Sequence, residues 1–324
     1  MRRVRYYEYG GPDVLTIEEA EVPAPGPGEV LLRTEAIGAN FVDTKLRRGP
    51  AAGPLFQRPL PGKLTGDVVG TVEAAGPGAD RGLIGQRVAA LGEDAFAEHV
   101  VADAQWLAPV PDGADLGVAS MLPMGAPVAL RVLRTGRLAA GETVLVHSAA
   151  GGIGHLAVQL ARLLGAGKVI TAVGSPAKFD FVRSFGADAA VDYSADDWPE
   201  RVRELAPEGV DLVLDSVGGG ILRQSLDLLA PFGRVVVYGA AGNDLLDVPV
   251  TSLFALKAVA GFSLLAWRAA APEQARAEMA ELAGHAVSGR LRTAVHARFP
   301  LAEAPAVHRL IEERSHLGRI LVLP

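Results

Sequence analysis

The chain contains no cysteine among its 324 residues. Disulfide bonds and thiolate metal ligands are therefore excluded. Although 49% of the residues are hydrophobic, the chain lacks an apolar run of the roughly twenty residues that a membrane-spanning helix needs. It also lacks an excess of positive charge, because the net charge is −6. The sequence therefore gives no electrostatic reason to expect nucleic acid or an anionic membrane as a partner.

The N-terminus enters a charged strand, Arg2-Arg-Val-Arg5, instead of the apolar core of a secretory signal. We therefore expect a cytoplasmic protein. The length exceeds what one hydrophobic core commonly supports, so we expect about two domains.

The strongest motif is a strand, a glycine-rich turn and a helix in immediate succession. Val144-Leu-Val146 is an apolar run typical of a buried parallel strand, and Leu156 begins an apolar helical stripe. Glycines between them allow close approach to phosphate, and the helix N-terminus offers N–H groups to it. Ala149 replaces the first glycine of the dinucleotide pattern, and tight helix packing alone is the alternative interpretation. The predicted pyrophosphate-binding residues are Gly151, Gly152, Ile153 and Gly154.

The end of the next strand indicates which dinucleotide binds. Lys168-Val-Ile-Thr-Ala-Val173 ends about twenty residues after the glycines, where an NAD site carries Asp or Glu for the ribose hydroxyl. Ser175 and Lys178 follow instead, and both can donate hydrogen bonds to a 2′-phosphate. NADPH is therefore the predicted cofactor. Ser175 can also cap a helix while Lys178 lies on a solvated face, and both interpretations can hold together.

Strands alternate with helices through this region, with further strands at 189–191, 210–215 and 234–238. The alternation predicts an α/β Rossmann domain, a doubly wound parallel sheet with ligands at the carboxyl ends of its strands. The most apolar stretch, 253–267, is expected to be a buried element. The residues at the strand ends that should line one groove are Gly151, Ser175, Tyr193, Ser216 and Gly239.

Residues 1 to about 122 have a different pattern, with short strands punctuated by Gly and Pro. We expect a small β-rich barrel or sandwich here. The predicted strands are 14–18, 29–33, 67–73, 86–91 and 95–101.

A series of short motifs in this order resembles the zinc-independent quinone oxidoreductase branch of the medium-chain dehydrogenase/reductase superfamily. The resemblance implies a discontinuous GroES-like catalytic domain over 1–122 and 262–324, and a Rossmann NADPH-binding domain over 123–261. It also implies a homodimer that pairs through the apolar run 248–264. The motifs are Pro27-Gly-Glu-Val30, Asn40-Phe-Val-Asp43, Gly66-Asp67 with Gly70, Gly85-Gln-Arg-Val88, Ala97-Glu-His-Val100, Leu122-Pro123, Ala149 to Gly154, Asp215-Ser-Val-Gly218, Gly233-Arg234 and His316-Leu-Gly-Arg-Ile320.

Zinc enzymes of the family carry a cysteine where this chain has Asn40, and a His-Glu pair where it has Gly66-Asp67. The seven histidines are scattered, without an i,i+4 pair. We therefore predict neither catalytic nor structural zinc.

Without a metal, hydride transfer to a quinone or an α,β-unsaturated carbonyl is favoured, because such acceptors are already polarised. The alternatives are an enoyl or enone reductase acting on a thioester or biosynthetic intermediate, and an NADPH-binding sensor or structural protein with little turnover.

The resemblance also assigns individual residues. Asn40 is expected near the nicotinamide and the substrate carbonyl as an amide donor, with a loop-bracing role as the alternative. Tyr193 is expected beside the adenosine phosphate, or else as a core aromatic. Arg319 stands where the family usually has a lysine, and it is expected to contact phosphate, with a solvated charge as the alternative. The remaining cofactor positions are Pro127, Ser216, Val217, Gly239, Ala240, Phe262, Ser263 and Leu264.

The chain departs from the branch around the substrate. Tyrosines after the Asn-Phe-x-Asp motif are replaced by Lys45 and Ala51, and a threonine opposite the nicotinamide is replaced by Pro127. Lys45 can serve as a general acid if it is buried, because burial lowers the pKa of a lysine. A surface position is the favoured alternative. The loop 49–61 is expected to form part of an apolar substrate mouth.

Overall fold

The computed structural model describes residues 1–111, 113–242 and 247–324. The chain divides into two compact units, Met1–Met124 with Arg276–Pro324, and Gly125–Ala275. The sequence analysis placed the return to the first unit near residue 262, whereas the division lies at Arg276. The difference arises because Trp267 stays with the second unit, where the guanidinium of Arg131 lies 3.8 Å from its ring centroid.

Fifteen strands occur in the described residues. The sequence pattern predicted five of those in the second unit from their apolar runs. In chain order the strands are β1 (Arg2–Arg5), β2 (Thr16–Glu19), β3 (Glu29–Gly38), β4 (Gly66–Ala75), β5 (Arg87–Gly92), β6 (His99–Asp103), β7 (Ala108–Pro109), β8 (Thr143–His147), β9 (Lys168–Val173), β10 (Ala189–Asp192), β11 (Val210–Asp215), β12 (Leu229–Val237), β13 (Ala258–Gly261), β14 (Val295–Pro300) and β15 (Arg319–Leu323).

The α-helices of the same described residues are mostly short. They are α1 (Phe41–Arg48), α2 (Leu116–Ala119), α3 (Gly125–Thr135), α4 (Gly154–Leu163), α5 (Phe179–Ser184), α6 (Trp198–Leu205), α7 (Gly219–Asp227), α8 (Leu264–Ala270), α9 (Pro272–Val287) and α10 (Ala304–Glu312). Within the portion of the chain that is described, no helix has both the length and the apolarity to cross a membrane.

The first unit is built on a seven-stranded sheet whose main order is β14-β15-β3-β4-β5-β7, with β6 paired to β3. Its core contains Leu32, Ile37, Val68 and Phe96. At the end of β3, Gly38 lies opposite Asp67 on β4 and opposite Leu321 on β15. This register brings the ends of three strands together, although they are far apart in sequence.

The second unit contains a six-stranded parallel sheet in the order β10-β9-β8-β11-β12-β13. The order reverses between β8 and β11, which is the point where doubly wound sheets bind nucleotides. Strands β8, β9 and β11 are almost fully buried, as their continuous apolar runs predicted. The predicted α/β architecture is confirmed.

One expectation about the second unit is wrong. The stretch 253–267 was expected to be buried, but Phe254 is 77% exposed and Leu256 is 56% exposed. The reason is its place at the sheet edge, since β13 pairs only with β12 within the described strands.

Candidate active site

The glycine turn joins β8 to α4 and leaves the N-terminus of the helix open. The N–H of Gly151 donates to the carbonyl of Ser148 at 3.0 Å, which closes the turn. A Cβ on Gly154 would lie 2.5 Å from the Cα of Ala149, so only glycine lets the helix start this close to the strand. In the described part of the chain, no acceptor takes the N–H groups of Gly152 and Ile153, which are both partly exposed. These two groups can bind an anion.

Two buried histidines hold this turn and the strand before it. The Nδ1 atom of His155 lies 2.8 Å from the carbonyl oxygen of Gly151, and its ring packs edge-on against Phe185. The sequence analysis missed His155, although the i,i+4 spacing from Gly151 was visible. His147 lies 2.8 Å from the hydroxyl of Ser225, and burial lowers its pKa, so the ring is neutral and structural.

The end of β9 carries the residues expected to bind a 2′-phosphate. The Ser175 hydroxyl oxygen accepts the N–H of Ala177 at 3.3 Å, which leaves the hydroxyl proton available as a donor. Ser175 and Lys178 are both partly exposed. Gly174 occupies the preceding position, and a Cβ there would lie 3.6 Å from the ring of Tyr193. The strand end therefore combines two donors with a half-buried aromatic ring and carries no carboxylate at residues 174–178.

The ends of β11 and β12 are joined into a rigid edge. The buried carboxylate of Asp215 accepts the N–H groups of Val217 and Gly218 at 3.0 Å, and the N–H of Ala241 donates to Ser216 at 2.9 Å. A Cβ on Gly239 would lie 3.0 Å from the carbonyl oxygen of Ser216. Backbone groups rather than side chains therefore form this part of the edge.

The remaining predicted cofactor residues of the second unit divide into two groups. Phe262 and Ser263 follow β13, with the N–H of Phe262 bonded to Val237 at 2.9 Å, and Leu264 begins α8. Pro127 lies instead in the first turn of α3, where it is buried. The residues at the carboxyl ends of the parallel strands are Gly151, Gly152, Ser175, Tyr193, Ser216, Val217, Gly239, Ala240, Phe262 and Ser263.

In the first unit, Asn40 stands at the N-terminus of α1 but does not cap the helix through its side chain. Its amide oxygen instead accepts a hydrogen bond from Nη1 of Arg319 at 2.7 Å. The amide nitrogen is buried and has no hydrogen-bond partner among the described residues. Asn40 therefore braces its surroundings through the oxygen and keeps a free donor.

Arg319 is only 3% exposed, so the alternative prediction that it is a solvated charge is wrong. Its guanidinium forms an ion pair with Asp67 and donates to the carbonyl oxygens of Ala39 at 3.1 Å and Ser120 at 3.2 Å. The sequence analysis missed this network because the partners lie 252 and 199 residues away along the chain.

Asp43 lies in the first turn of α1 and is fully buried. Its carboxylate accepts the N–H of Thr65 at 2.6 Å and the Thr65 hydroxyl at 3.1 Å. Burial raises the pKa of Asp43 to about 7, and the nearby charge of Asp67 adds to the rise, while Thr65 and Arg319 oppose it. The side chain thus ties α1 to the start of β4 and titrates near neutral pH.

Lys45 is 5% exposed, so the favoured expectation of a surface lysine is wrong. Its ammonium lies 5.9 Å from the ring centroids of Phe41 and Phe56. Burial lowers its pKa, and the charges of Arg314 and Arg48 lower it further. The sequence did not reveal these aromatic neighbours, because the charged run Lys45-Leu-Arg-Arg48 is typical of a solvent-exposed helix face.

The loop 49–61 forms two short 3-10 turns, Gly49–Ala52 and Pro54–Phe56. Two shallow grooves run beside it, and both include Tyr9. One, of about 410 Å³, includes Arg58 and Leu60, and the other, of about 520 Å³, includes Arg48 and Ala51. The expected mouth is thus partly apolar, but cationic side chains also line it.

Comparison with known proteins decides the family. The model of the alcohol dehydrogenase GroES-like domain matches residues 26–112, and that of the zinc-binding dehydrogenase matches residues 152–284. A quinone oxidoreductase of Pseudomonas aeruginosa is 37% identical to the chain, over 100% of this chain and 99% of its own. The chain belongs to the quinone oxidoreductase branch of the medium-chain dehydrogenase/reductase superfamily.

Two further members of the superfamily are similar over nearly the whole length. A 2-haloacrylate reductase of a Burkholderia species is 34% identical, over 98% of this chain and 97% of its own. A mycobacterial protein solved in complex with NADPH has a TM-score of 0.91 and 36% identity, over 100% of both chains. Although one matching family model is described as zinc-binding, no cluster of three or more His, Asp or Glu suited to a metal occurs in residues 1–111, 113–242 and 247–324.

Proposed function

We propose that this protein is a zinc-independent, NADPH-dependent oxidoreductase that reduces a quinone or an α,β-unsaturated carbonyl compound. The observation that carries the proposal is the open N-terminus of α4 together with Ser175 and Lys178, which follow a strand end without a carboxylate. The similarity to a quinone oxidoreductase and to a protein solved with NADPH supports it.

The residues of the second unit fit this cofactor. The N–H groups of Gly152 and Ile153 would hold the pyrophosphate at the positive end of the helix dipole. Ser175 and Lys178 would hold the 2′-phosphate, and the half-buried ring of Tyr193 would cover the adenosine side. When bound, NADPH supplies the hydride. Backbone groups at 239–240 and 262–264 would meet the nicotinamide end.

The residues of the first unit would stabilise the acceptor during reduction. The acceptor gains a hydride at carbon, an electron pair moves onto its carbonyl oxygen, and one proton completes the reduction. The amide nitrogen of Asn40 would donate a hydrogen bond to that oxygen. Lys45 would supply the proton, since its lowered pKa makes the ammonium a stronger acid than an ordinary lysine. Because the acceptor is already polarised, these groups replace a metal Lewis acid.

A second candidate acceptor is an α,β-unsaturated carboxylate. The favouring observation is a group of cations around Phe41, whose ring lies 5.9 Å from Lys45 and 5.8 Å from Arg314. Arg48 adds a third positive charge, and Glu312 is the carboxylate that pairs with it. The 2-haloacrylate reductase at 34% identity acts on a substrate of this class by its name.

Oxidation of NADPH with a panel of quinones, enones, enoyl thioesters and halogenated acrylates tests both candidates. We expect turnover with at least one class and a clear preference for NADPH over NADH. Activity should survive a chelator, and metal analysis of the purified protein should find no stoichiometric zinc. Tight NADPH binding without turnover of any acceptor would contradict the proposal and favour a sensor or structural role.

We further propose that the protein is a cytoplasmic homodimer. Within the described strands β13 is the last of the sheet, and the backbone of Phe232 bonds to Leu256 just before it. Phe232 is more than two-thirds exposed, as are Val250 and Phe254, which precede β13 in the chain. Such an apolar patch beside an unpaired strand edge promotes aggregation unless another chain covers it. A second copy of β13 would pair with the first across a two-fold axis, since self-complementary contacts of this kind close into dimers.

A further inference from the structure

We propose that Arg319 is a positioning residue that fixes the amide group of Asn40, so that the nitrogen and not the oxygen meets the carbonyl oxygen of the acceptor. The inference rests on the proposed function, because that function places the carbonyl oxygen of an acceptor at the amide nitrogen of Asn40. Arg319 does not touch the acceptor itself. The inference concerns side chains of the first unit alone.

The chemistry of arginine decides which way the amide of Asn40 points. A guanidinium has five N–H donors and no acceptor, so only the oxygen of an amide can face it. The 2.7 Å contact between Nη1 of Arg319 and the amide oxygen of Asn40 therefore directs the nitrogen, which lies in the same plane, away from the guanidinium.

The amide nitrogen of Asn40 needs an acceptor that the described residues do not provide. Asn40 is 5% exposed, and its nitrogen is buried without a partner. A buried donor in this state costs free energy unless a ligand satisfies it. A carbonyl oxygen that gains negative charge during reduction is a suitable acceptor for it.

Arg319 is itself held in one orientation. Its guanidinium contacts five acceptors, because besides Asn40 it reaches Asp67, the carbonyl oxygen of Ala39, and both the carbonyl and hydroxyl oxygens of Ser120. Gly38 provides the space, since a Cβ there would overlap the guanidinium. The charge of Asp67 compensates the buried cation. The amide of Asn40 is therefore fixed by a rigid neighbour.

Loss of this constraint would let the amide rotate and present its oxygen to the developing negative charge. Removal of one well-placed oxyanion donor reduces kcat by about 100-fold or more in other enzymes. We therefore expect a defect in kcat, while the affinity for NADPH stays nearly unchanged. If Arg319 instead contacted a phosphate of the cofactor, its replacement would weaken NADPH binding.

The test compares Arg319→Lys in the wild-type background and in an Asn40→Ala background. Lysine keeps the charge beside Asp67 but lacks the planar fork that reaches several acceptors. We expect about a 100-fold loss of kcat when Asn40 is present, and less than about a threefold further loss when it is absent. Arg5→Lys is the matched control, since Arg5 is also a buried arginine paired with an aspartate, Asp94.

A second variant covers the case in which Arg319→Lys fails to fold. Arg319→Met combined with Asp67→Asn removes the ion pair without leaving a buried charge. It should show the same loss of kcat as Arg319→Lys. Normal kcat in this variant would overturn the proposal.

A readout without turnover uses 4-nitrophenol, whose phenolate form resembles the oxyanion and absorbs visible light. The full-length protein, with and without NADP⁺, is titrated with the phenol at a pH near its pKa. The wild type should favour the bound phenolate, whereas Asn40→Ala and Arg319→Lys should lose this preference together. If the wild type oxidises no NADPH with any acceptor, the proposed function fails, yet this titration still decides the role of Arg319.

Three further results would overturn the inference. Equal losses of kcat from Arg319→Lys in both backgrounds would mean that Arg319 acts independently of Asn40. A raised Kd for NADPH with normal kcat would assign it to a phosphate. An unchanged phenolate preference in Arg319→Lys would show that the amide needs no positioning.

Discussion

The guanidinium of Arg319 occupies the space that a side chain at Gly38 would fill. The two residues are 281 positions apart, yet neighbouring strands bring them together, because Gly38 ends β3 and Arg319 begins β15. The absence of a Cβ at residue 38 therefore allows a buried ion pair between Arg319 and Asp67.

This relationship predicts the effect of Gly38→Ala. The added methyl group must displace the guanidinium, so we expect a loss of about 1–3 kcal/mol in the free energy of unfolding in urea. The kcat should fall as well, because Asn40 loses its partner. Gly284→Ala is the control, since nothing lies within 4 Å of a Cβ there and the residue is in α9. It should gain about 0.5–1 kcal/mol. Equal stability of the two variants would contradict the argument.

The second prediction concerns cofactor choice. Lys178→Ala should raise the Kd of NADPH at least about tenfold and leave that of NADH nearly unchanged, because a charge-assisted bond to the 2′-phosphate is lost. Gly174→Asp should shift preference further toward NADH, and the site has room for it, since a Cβ would lie 3.6 Å from Tyr193. Titration of intrinsic fluorescence measures both constants.

The control for cofactor choice is Lys168→Ala. Lys168 begins the same strand, β9, and its ammonium donates to the carbonyl of Leu205 at 2.8 Å. Its loss should change stability without changing the ratio of the two dissociation constants. Equal weakening of NADPH and NADH by Lys178→Ala would remove that residue from the phosphate site.

The third prediction concerns the pH dependence of turnover. If Lys45 supplies the proton, kcat declines as pH rises through its lowered pKa, because only the ammonium form is an acid. Lys45→Gln should lower kcat and abolish that decline, and Lys45→Arg should move it to higher pH, since arginine stays protonated. The exposed Lys63→Gln is the control. A wild-type decline that persists in Lys45→Gln would assign the proton to another group.

The sequence predicted the second unit well because its structure follows from local patterns. The strands 168–173 and 210–215 coincide with β9 and β11, since runs of apolar residues define buried parallel strands by themselves. The position of the glycine turn followed from the same kind of pattern. The exposure of 253–267 did not, because an apolar run at a sheet edge resembles a buried one in sequence.

The first unit was harder to predict because distant partners determine it. Helix α1 was missed, and it is held by Asp43 with Thr65 and by Arg47 with Glu312, partners 22 and 265 residues away. Arg47 and Lys45 look like solvated charges in sequence, yet both are buried. Whether a charged residue finds a partner across the fold is not encoded in its local pattern.

The fourth prediction concerns stability and pH. The pKa of Asp43 rises from 3.8 to about 7 on folding, mainly through burial. The folded state therefore binds more protons than the unfolded state between about pH 4 and about pH 7. The free energy of unfolding consequently falls as pH rises in this window, by at most about 1.4 kcal/mol per pH unit. Asp43→Asn should remove that contribution.

The measurement is the difference in unfolding free energy between Asp43→Asn and the wild type from pH 4 to pH 8. The difference is needed because burial also lowers the pKa of His308 to about 3, which makes stability rise with pH and offsets Asp43 in the wild type. The variant should gain stability relative to the wild type as pH rises, and level off above about pH 7. Parallel curves would mean that Asp43 titrates at its ordinary pKa.

The fifth prediction tests the homodimer. Light scattering after gel filtration should give a molar mass about twice the 33.7 kDa of one chain. Val250→Asp combined with Phe254→Asp should yield monomers, because charges would be desolvated at the interface. Val287→Asp is the control, since Val250 and Val287 are both 71% exposed and Val287 lies in the other unit. A dimer that survives the double change would move the interface away from β13, whereas dissociation by both variants would show that exposed charge alone disturbs assembly.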